Sequence, residues 1–134
     1  MFNCPLDQGY SWGTMAALNA PIPSYYSIAS IALISPPLTV FWALSFISSK
    51  GFYSRLKAGL TSPQVESNGE RTKIWMIHGT RDEFTGIRTF RSLAKEPGGA
   101  RLIVKEVDGA GHFYTSEEEG ERLKVALSEW LRAM

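Results

Sequence analysis

Short apolar runs alternate along the chain with segments in which apolar residues recur at helical spacing. The runs Ser27–Ser35 and Lys73–Gly79, and a third over residues 100–107, are bounded by prolines, glycines or polar residues. Such runs are typical of β-strands, and Ser27–Ser35 has the composition of a strand that is buried on both faces. The pattern therefore predicts three strands.

Segments with helical features lie between and after the predicted strands. Residues 14–20 are helix formers and are followed by a Pro-Ile-Pro sequence that stops a helix. A second helix is predicted after Thr85, a candidate N-cap. A third is predicted after Thr115, which fits a capping box with Glu118, and its apolar residues form one stripe over 123–131.

The middle of the chain interrupts this alternation. Residues 38–60 are aromatic and irregular in period, which predicts one or two helices, and residues 61–72 form a polar linker with turn signals. We interpret residues 38–70 as a lid-like or linker insertion within a single domain, residues 1–134. Because strands otherwise alternate with helices, the predicted fold class is α/β, a small parallel sheet flanked by helices with right-handed connections.

Charge and cysteine content exclude several function classes. The net charge is +1 and no segment is rich in Lys and Arg, so there is no electrostatic case for binding nucleic acid. Cys4 is the single cysteine, which excludes an intramolecular disulfide and a cysteine-based metal site. The sequence predicts no metal and no cofactor. The N-terminus lacks the features of a signal peptide, so a cytoplasmic location is expected.

The distribution of charge raises the question of membrane insertion. No Asp, Glu, Lys or Arg lies between Asp7 and Lys50, and a membrane-spanning helix needs about 20 apolar residues. Prolines, however, divide this stretch into pieces that are too short to span a bilayer. A buried strand and a lid-like helix explain the same composition, so no membrane association is expected. Association of residues 24–48 with a membrane is the lower-ranked alternative.

Three residues with catalytic potential lie in turns and loops next to the predicted elements. Residues 9–13, GYSWG, have the form G-x-S-x-G, a turn that presents a nucleophilic serine, here Ser11, in some hydrolases. Asp82 lies in the loop after the strand Lys73–Gly79, and His112 lies in the loop after the following strand. Loops at the carboxyl ends of parallel strands meet at one edge of the sheet, so these side chains can approach one another.

The order Ser11, Asp82, His112 matches the nucleophile, acid, histidine order of the α/β-hydrolases. From Gly9 onward, the chain resembles the C-terminal half of an α/β-hydrolase, most of all a small one of the dienelactone-hydrolase-like kind. GYSWGT is similar to the nucleophile elbow, IALISPP to the strand after it, IHGTRDEFT to the acid loop and VDGAGHFY to the histidine loop. The resemblance implies a partial α/β-hydrolase fold and a serine hydrolase that acts on carboxylic esters or related acyl compounds.

The resemblance also implies a role for each residue of the candidate site. Ser11 is expected to attack the substrate carbonyl, His112 to take and return the proton, and Asp82 to orient the imidazole. The backbone N–H of Trp12 is expected to supply half of the oxyanion hole. The two glycines that flank this turn are expected to let it bend sharply and pack against its neighbours.

Structural alternatives accompany these assignments. Ser11 can be an ordinary serine of a flexible turn, and Asp82 can be a turn or helix-start residue, with neighbouring Glu83 as the acid instead. A structural histidine seldom needs the glycine-flanked loop in which His112 lies. His78 lies at the end of a predicted strand and is interpreted as structural.

The start of the chain departs from the superfamily pattern. The elbow normally follows a buried apolar strand, whereas residues 1–8 include a proline and an aspartate and are predicted to form a poor strand. The chain therefore resembles a truncated hydrolase that lacks the N-terminal strands and the second oxyanion donor. Ser27–Ser35 is then expected to expose a sheet edge through which the protein self-associates or binds a partner.

Two function classes are compatible with these patterns. The first is a serine hydrolase that acts on a small-molecule acyl substrate through Ser11, Asp82 and His112. The second is a non-catalytic hydrolase remnant that acts only by association with a partner. They differ in whether Ser11 is chemically activated.

Overall fold

Four strands and three helices make up the described part of the chain. The computed structural model describes residues 6–11, 13–19, 30–38, 54, 73–95 and 102–133. The strands are β1 (Leu6–Tyr10), β2 (Ser30–Ile34), β3 (Lys73–Gly79) and β4 (Leu102–Val107). The helices are α1 (Gly13–Asn19), α2 (Ile87–Leu93) and α3 (Glu117–Arg132).

The strands form one parallel sheet in the order β1-β2-β3-β4. At its carboxyl edge, Tyr10 is paired with Ile34, and Ile34 is paired with Ile77. On the far side of β3, Gly79 is paired with Val107 at the end of β4. The residues that follow all four strands therefore lie along one edge of the sheet, as expected for a parallel α/β arrangement.

Strand β1 corrects the expectation that the residues before the G-x-S-x-G turn form a poor strand and leave three strands. Leu6–Tyr10 pairs with all five residues of β2, so β2 is an inner strand and the outer strand on that side is β1. Strand propensity depends strongly on context, and the pairing available along apolar β2 outweighs the weak preference of this segment.

The core lies on both faces of the sheet, because every residue of β2 is buried. On one face, α2 packs against β2 and β3 through residues that include Leu33, Met76 and Phe90. On the other face, Trp130 of α3 packs against Ala32 and Trp75. This burial agrees with the prediction of a strand that is apolar on both sides.

The two N-cap residues that the sequence predicts, Thr85 and Thr115, each lie one residue before the N-cap in the structure. Gly86 is the N-cap of α2 and makes no side-chain capping bond, whereas the hydroxyl of Thr85 donates to the carbonyl oxygen of Pro36 at 3.3 Å. In α3, the capping box consists of Ser116 and Glu119 rather than Thr115 and Glu118. Three consecutive glutamates follow Thr115-Ser116, so the S/T-x-x-E pattern fits two registers and the sequence pattern does not choose between them.

Several sequence predictions fall on residues outside the described part of the chain. They include the beginning of the Ser27–Ser35 strand and almost all of the lid-like insertion at 38–70. Among the described residues, no helix is long and apolar enough to cross a membrane.

The capping box predicts a difference between two adjacent alanine variants. Ser116→Ala removes the oxygen that accepts a hydrogen bond from the Glu119 N–H, and it should lower the free energy of unfolding by about 1 kcal/mol. Thr115→Ala should change it by less than about 0.5 kcal/mol, because this exposed side chain does not cap the helix. Urea denaturation followed by circular dichroism measures both. A larger loss in Thr115→Ala would contradict this capping register.

Candidate active site

A strained turn presents Ser11 between β1 and α1. The backbone φ of Ser11 is 48°, in the left-handed region that costs a non-glycine residue about 1–2 kcal/mol. Three hydrogen bonds hold it there: the Ser11 N–H donates to the carbonyl of Ile34, and the Thr14 N–H and hydroxyl both donate to the Ser11 carbonyl. Strain of this kind at a strand-to-helix turn is a feature of nucleophile elbows.

The two glycines of the G-x-S-x-G sequence differ in their packing. A Cβ atom on Gly9 would lie 2.5 Å from the carbonyl oxygen of Gly13 and 2.7 Å from the Cα of Thr14. A Cβ atom on Gly13 would meet nothing within 4 Å. The close approach of backbone segments that was expected of both glycines therefore requires only Gly9.

His112 lies within hydrogen-bonding distance of both Ser11 and Asp82. Its Nε2 is 2.9 Å from Ser11 Oγ, and its Nδ1 is 2.8 Å from Asp82 Oδ2. A carboxylate only accepts hydrogen bonds, so Nδ1 carries the proton and the neutral ring offers the lone pair of Nε2 to the Ser11 hydroxyl. His112 is 2% exposed as a residue, which protects this arrangement from competing water.

Asp82 is held from its other side by the backbone of its own loop. Its Oδ1 accepts hydrogen bonds from the N–H groups of Phe84 at 2.8 Å and Thr85 at 3.1 Å. Glu83 is exposed, and its carboxylate accepts a 3.3 Å hydrogen bond from the backbone N–H of His112 instead of from the ring. Of the two acids considered from the sequence, Asp82 is the one that contacts the imidazole.

Close backbone packing brings the acid loop and the histidine loop together. A Cβ atom on Gly79 would overlap the Ala110 carbonyl, so only glycine fits at the end of β3 without a shift. The Arg81 N–H donates to the Ala110 carbonyl at 3.0 Å, and the Gly109 N–H donates to the Thr80 hydroxyl at 2.8 Å. These contacts set the distance between Asp82 and His112.

Aromatic residues that the sequence patterns did not identify surround His112. The hydroxyl of Tyr10 donates to the carbonyl of His112 at 2.9 Å and so links the serine turn to the histidine loop. The ring of Phe84 lies 4.4 Å from the imidazole and that of Phe113 lies 4.9 Å from it, centroid to centroid. Phe113 is 58% exposed. The adjacency of Tyr10 to Ser11 and of Phe113 to His112 was the available signal in the sequence.

Ser35 and Tyr114, which the sequence patterns also did not identify, form a hydrogen bond between their side chains. Their hydroxyl oxygens are 2.9 Å apart, and both residues have left-handed backbone, with φ values of 46° and 48°. Burial raises the pKa of Tyr114 to about 12, so its phenol is neutral and can donate or accept. This hydrogen bond fixes the end of the histidine loop against the residue that follows β2.

Two predicted features lie outside the described residues. One is Trp12, whose backbone N–H was expected to supply half of the oxyanion hole. The other is the set of aromatic residues in the lid-like or linker insertion at 38–70.

Comparison with known proteins finds solved structures that are similar to this chain in fold. No protein-family model and no curated protein matches the chain. A serine hydrolase homologue from Coxiella burnetii matches 92% of this chain and 48% of its own, with 16% identity and a TM-score of 0.55. An esterase domain from Rhodothermus marinus matches 96% and 60%, with 17% identity and a TM-score of 0.56.

A thermophilic esterase from Thermogutta terrifontis with bound propionate is similar to the same extent. It matches 96% of this chain and 55% of its own, with 17% identity and a TM-score of 0.55. The chain thus spans between 48% and 60% of the length of these three structures. Together with the parallel sheet, these likenesses show that the chain has part of an α/β-hydrolase fold.

The different surroundings of the two elbow glycines predict different consequences of adding a methyl group. Gly9→Ala should lower the free energy of unfolding by about 1–3 kcal/mol, because the new Cβ meets backbone atoms that must shift. Gly13→Ala should leave it unchanged or raise it by up to about 1 kcal/mol, because the site is open and helical. Urea denaturation of the two variants tests this, and equal losses would contradict the packing described for Gly9.

Proposed function

We propose that this chain carries the catalytic residues of a serine hydrolase of the α/β-hydrolase type that cleaves carboxylic esters of small molecules. The observation that carries the proposal is the unbroken chain of hydrogen-bonding distances from Ser11 through His112 to Asp82. Nucleophile, base and orienting acid in this arrangement are the signature of an activated serine. The resemblance to dienelactone-hydrolase-like enzymes is part of the same proposal.

The proposed reaction proceeds in two halves. Ser11 Oγ attacks the carbonyl carbon of the ester while its proton passes to Nε2 of His112, and Asp82 stabilises the resulting imidazolium. When the tetrahedral intermediate collapses, the C–O bond to the alcohol breaks and His112 returns the proton to the departing oxygen. Water then attacks the acyl-enzyme with His112 again acting as base, which releases the carboxylic acid and regenerates the Ser11 hydroxyl.

The negative oxygen of the tetrahedral intermediate needs hydrogen-bond donors. We assign one of them to the backbone N–H of Trp12, which follows the nucleophile in the sequence as the elbow mechanism requires. A second donor has no candidate among the residues assigned from the sequence. Each such donor contributes about 10²–10³ in kcat, so the efficiency of the enzyme depends on it.

Features of the site and the named relatives support the substrate class. Two of the similar structures are esterases, and one of these holds propionate, the acid of a short acyl chain. The exposed ring of Phe113 beside His112 offers an apolar surface to the organic part of such a substrate. We place the activity in the cytoplasm, in keeping with the single cysteine.

A second candidate function is association without catalysis. Among the described residues, β1 pairs only with β2, and the other edge of β1 has no partner strand there; a strand edge of this kind can recruit a further strand. In this alternative the hydrolase fold serves to bind a second copy or a partner chain. Chemical activation of Ser11 separates the two candidates.

Labelling with a fluorophosphonate tests the hydrolase directly. The unmodified protein should gain the mass of one phosphonyl group on Ser11, because only a serine paired with a base displaces fluoride at a useful rate. Ser11→Ala and His112→Ala should both lose the adduct by intact-mass spectrometry, whereas Ser92→Ala, which removes an exposed helical serine, should retain it. Absence of the adduct on folded protein would exclude the hydrolase and leave association.

Two acid variants test the assignment of Asp82 over Glu83. Asp82→Asn should slow hydrolysis of 4-nitrophenyl acetate by on the order of 10⁴-fold, because the amide no longer holds the proton on Nδ1 of His112. Glu83→Gln should slow it by about tenfold or less, since it alters one backbone hydrogen bond. Initial rates at equal protein concentration provide the comparison. The reverse order would make Glu83 the acid.

A further inference from the structure

His78 is a second, fully buried histidine that the proposed reaction does not use. It lies on β3 with 0% exposure, and its Nε2 is 2.6 Å from the carbonyl oxygen of Thr85. A carbonyl oxygen only accepts hydrogen bonds, so Nε2 carries the proton and Nδ1 of the neutral ring is bare. Within the described part of the chain that Nδ1 atom has no hydrogen-bond partner, and it lies 3.5 Å from Oδ2 of Asp82.

Oδ2 of Asp82 is therefore approached by two histidines in opposite tautomers, with the proton on Nδ1 in His112 and on Nε2 in His78. Nδ1 of His112 is 2.8 Å away and donates a proton to it, whereas Nδ1 of His78 presents a lone pair from 3.5 Å. The other oxygen of Asp82 is already occupied by two backbone N–H groups. While His78 is neutral it cannot donate to Oδ2, and the oxygen is left to His112.

We propose that His78 is a positioning residue for the acid of the site. When neutral, it leaves Oδ2 of Asp82 to His112; when protonated, it donates to the same oxygen and weakens the hold of Asp82 on the imidazole of His112. The catalytic consequence rests on the proposed function, whereas the protonation states of the two histidines do not.

The surroundings of His78 keep it neutral near neutral pH. Burial lowers its pKa, and a positive charge on His112, when that ring is protonated, acts in the same direction, while Asp82, the Thr85 carbonyl and Glu106 act against them. The Glu106 carboxylate, on β4, is paired with Arg91, which donates to it at 2.6 and 2.5 Å.

An apolar side chain also packs against His78. The ring of Phe90, on α2, lies against the His78 imidazole at a centroid distance of 4.1 Å. It therefore supplies no charge that would stabilise the imidazolium. Desolvation by burial is consequently the largest influence on the pKa of His78, and it lowers that pKa.

The sign of the pH dependence follows from this lowered pKa. The unfolded chain binds a proton at the usual histidine pKa of 6.5, whereas the folded protein binds it only at lower pH. The contribution of neutral His78 to the free energy of unfolding is therefore present in full above pH 6.5. It is lost as the pH falls from 6.5 to the lower pKa of His78 in the folded protein. The positioning by His78 is lost as the pH falls through the lowered pKa of His78 in the folded protein, at the lower end of this interval.

Nitrogen NMR can observe both histidines directly, because the chain contains only two. With ¹⁵N-histidine, long-range proton–nitrogen spectra should show His112 as the Nδ1–H tautomer and His78 as the Nε2–H tautomer near pH 8. His78→Gln and His112→Gln assign the signals. As the pH is lowered and His78 becomes protonated, the signal of the His112 Nδ1 proton should shift. A His78 that carries its proton on Nδ1, or titrates without any change at His112, would overturn the proposal.

The rate of fluorophosphonate labelling gives a second readout, in the shape of its pH profile. Protonation of His112 removes the base, so binding of one proton is enough to lower the labelling rate. If protonation of His78 also lowers the rate, two protons are involved, and the rate falls more steeply as the pH decreases. His78→Gln keeps an N–H donor for Thr85 but cannot be protonated, so its profile should fall with one proton only. An equally steep fall in both proteins would overturn the proposal. Absence of labelling in both would refute the proposed function instead, and the NMR result would then decide the inference alone.

Discussion

Complete burial of β2 is the constraint on which the rest of the structure depends. All five of its residues are buried, so its backbone N–H and C=O groups must find partners within the sheet. The strands β1 and β3 supply them on the two sides, and helices cover the two faces. Because all the pairs are parallel, the carboxyl ends of the strands share one edge, and every residue of the candidate site lies at that edge.

The hydrogen-bond ladder continues one residue beyond the strands and supports strained backbone there. The Ser11 N–H donates to Ile34, and the Ser35 N–H donates to Ile77, although both serines have left-handed φ values. Tyr114 is the third non-glycine residue with this conformation among the described residues, and its hydroxyl bonds to that of Ser35. Strain at three points around one histidine is offset by specific hydrogen bonds, which is the usual circumstance at functional sites.

Asp82 connects the fold to the chemistry. A buried carboxylate is costly unless its oxygens are hydrogen-bonded, and here backbone N–H groups occupy one oxygen and His112 the other. The unpaired nitrogen of His78 behind it is the one buried side-chain polar atom without a partner in the described part of the chain. This unpartnered atom beside Asp82 is the observation from which we infer that the protonation state of His78 acts on the site.

The sequence by itself determined the α/β class, the three strands β2, β3 and β4, and the positions of Asp82 and His112 in the loops after β3 and β4, because apolar period and loop position are local properties. It did not determine that Leu6–Tyr10 is a strand, since that depends on pairing with β2. The choice of Asp82 over Glu83 as partner of the imidazole, the register of the α3 cap and the contacts of Tyr10, Phe84 and His78 were decided only by the tertiary structure. Each of these depends on distances between atoms from loops that are far apart in the chain, and no periodicity along the chain encodes such distances.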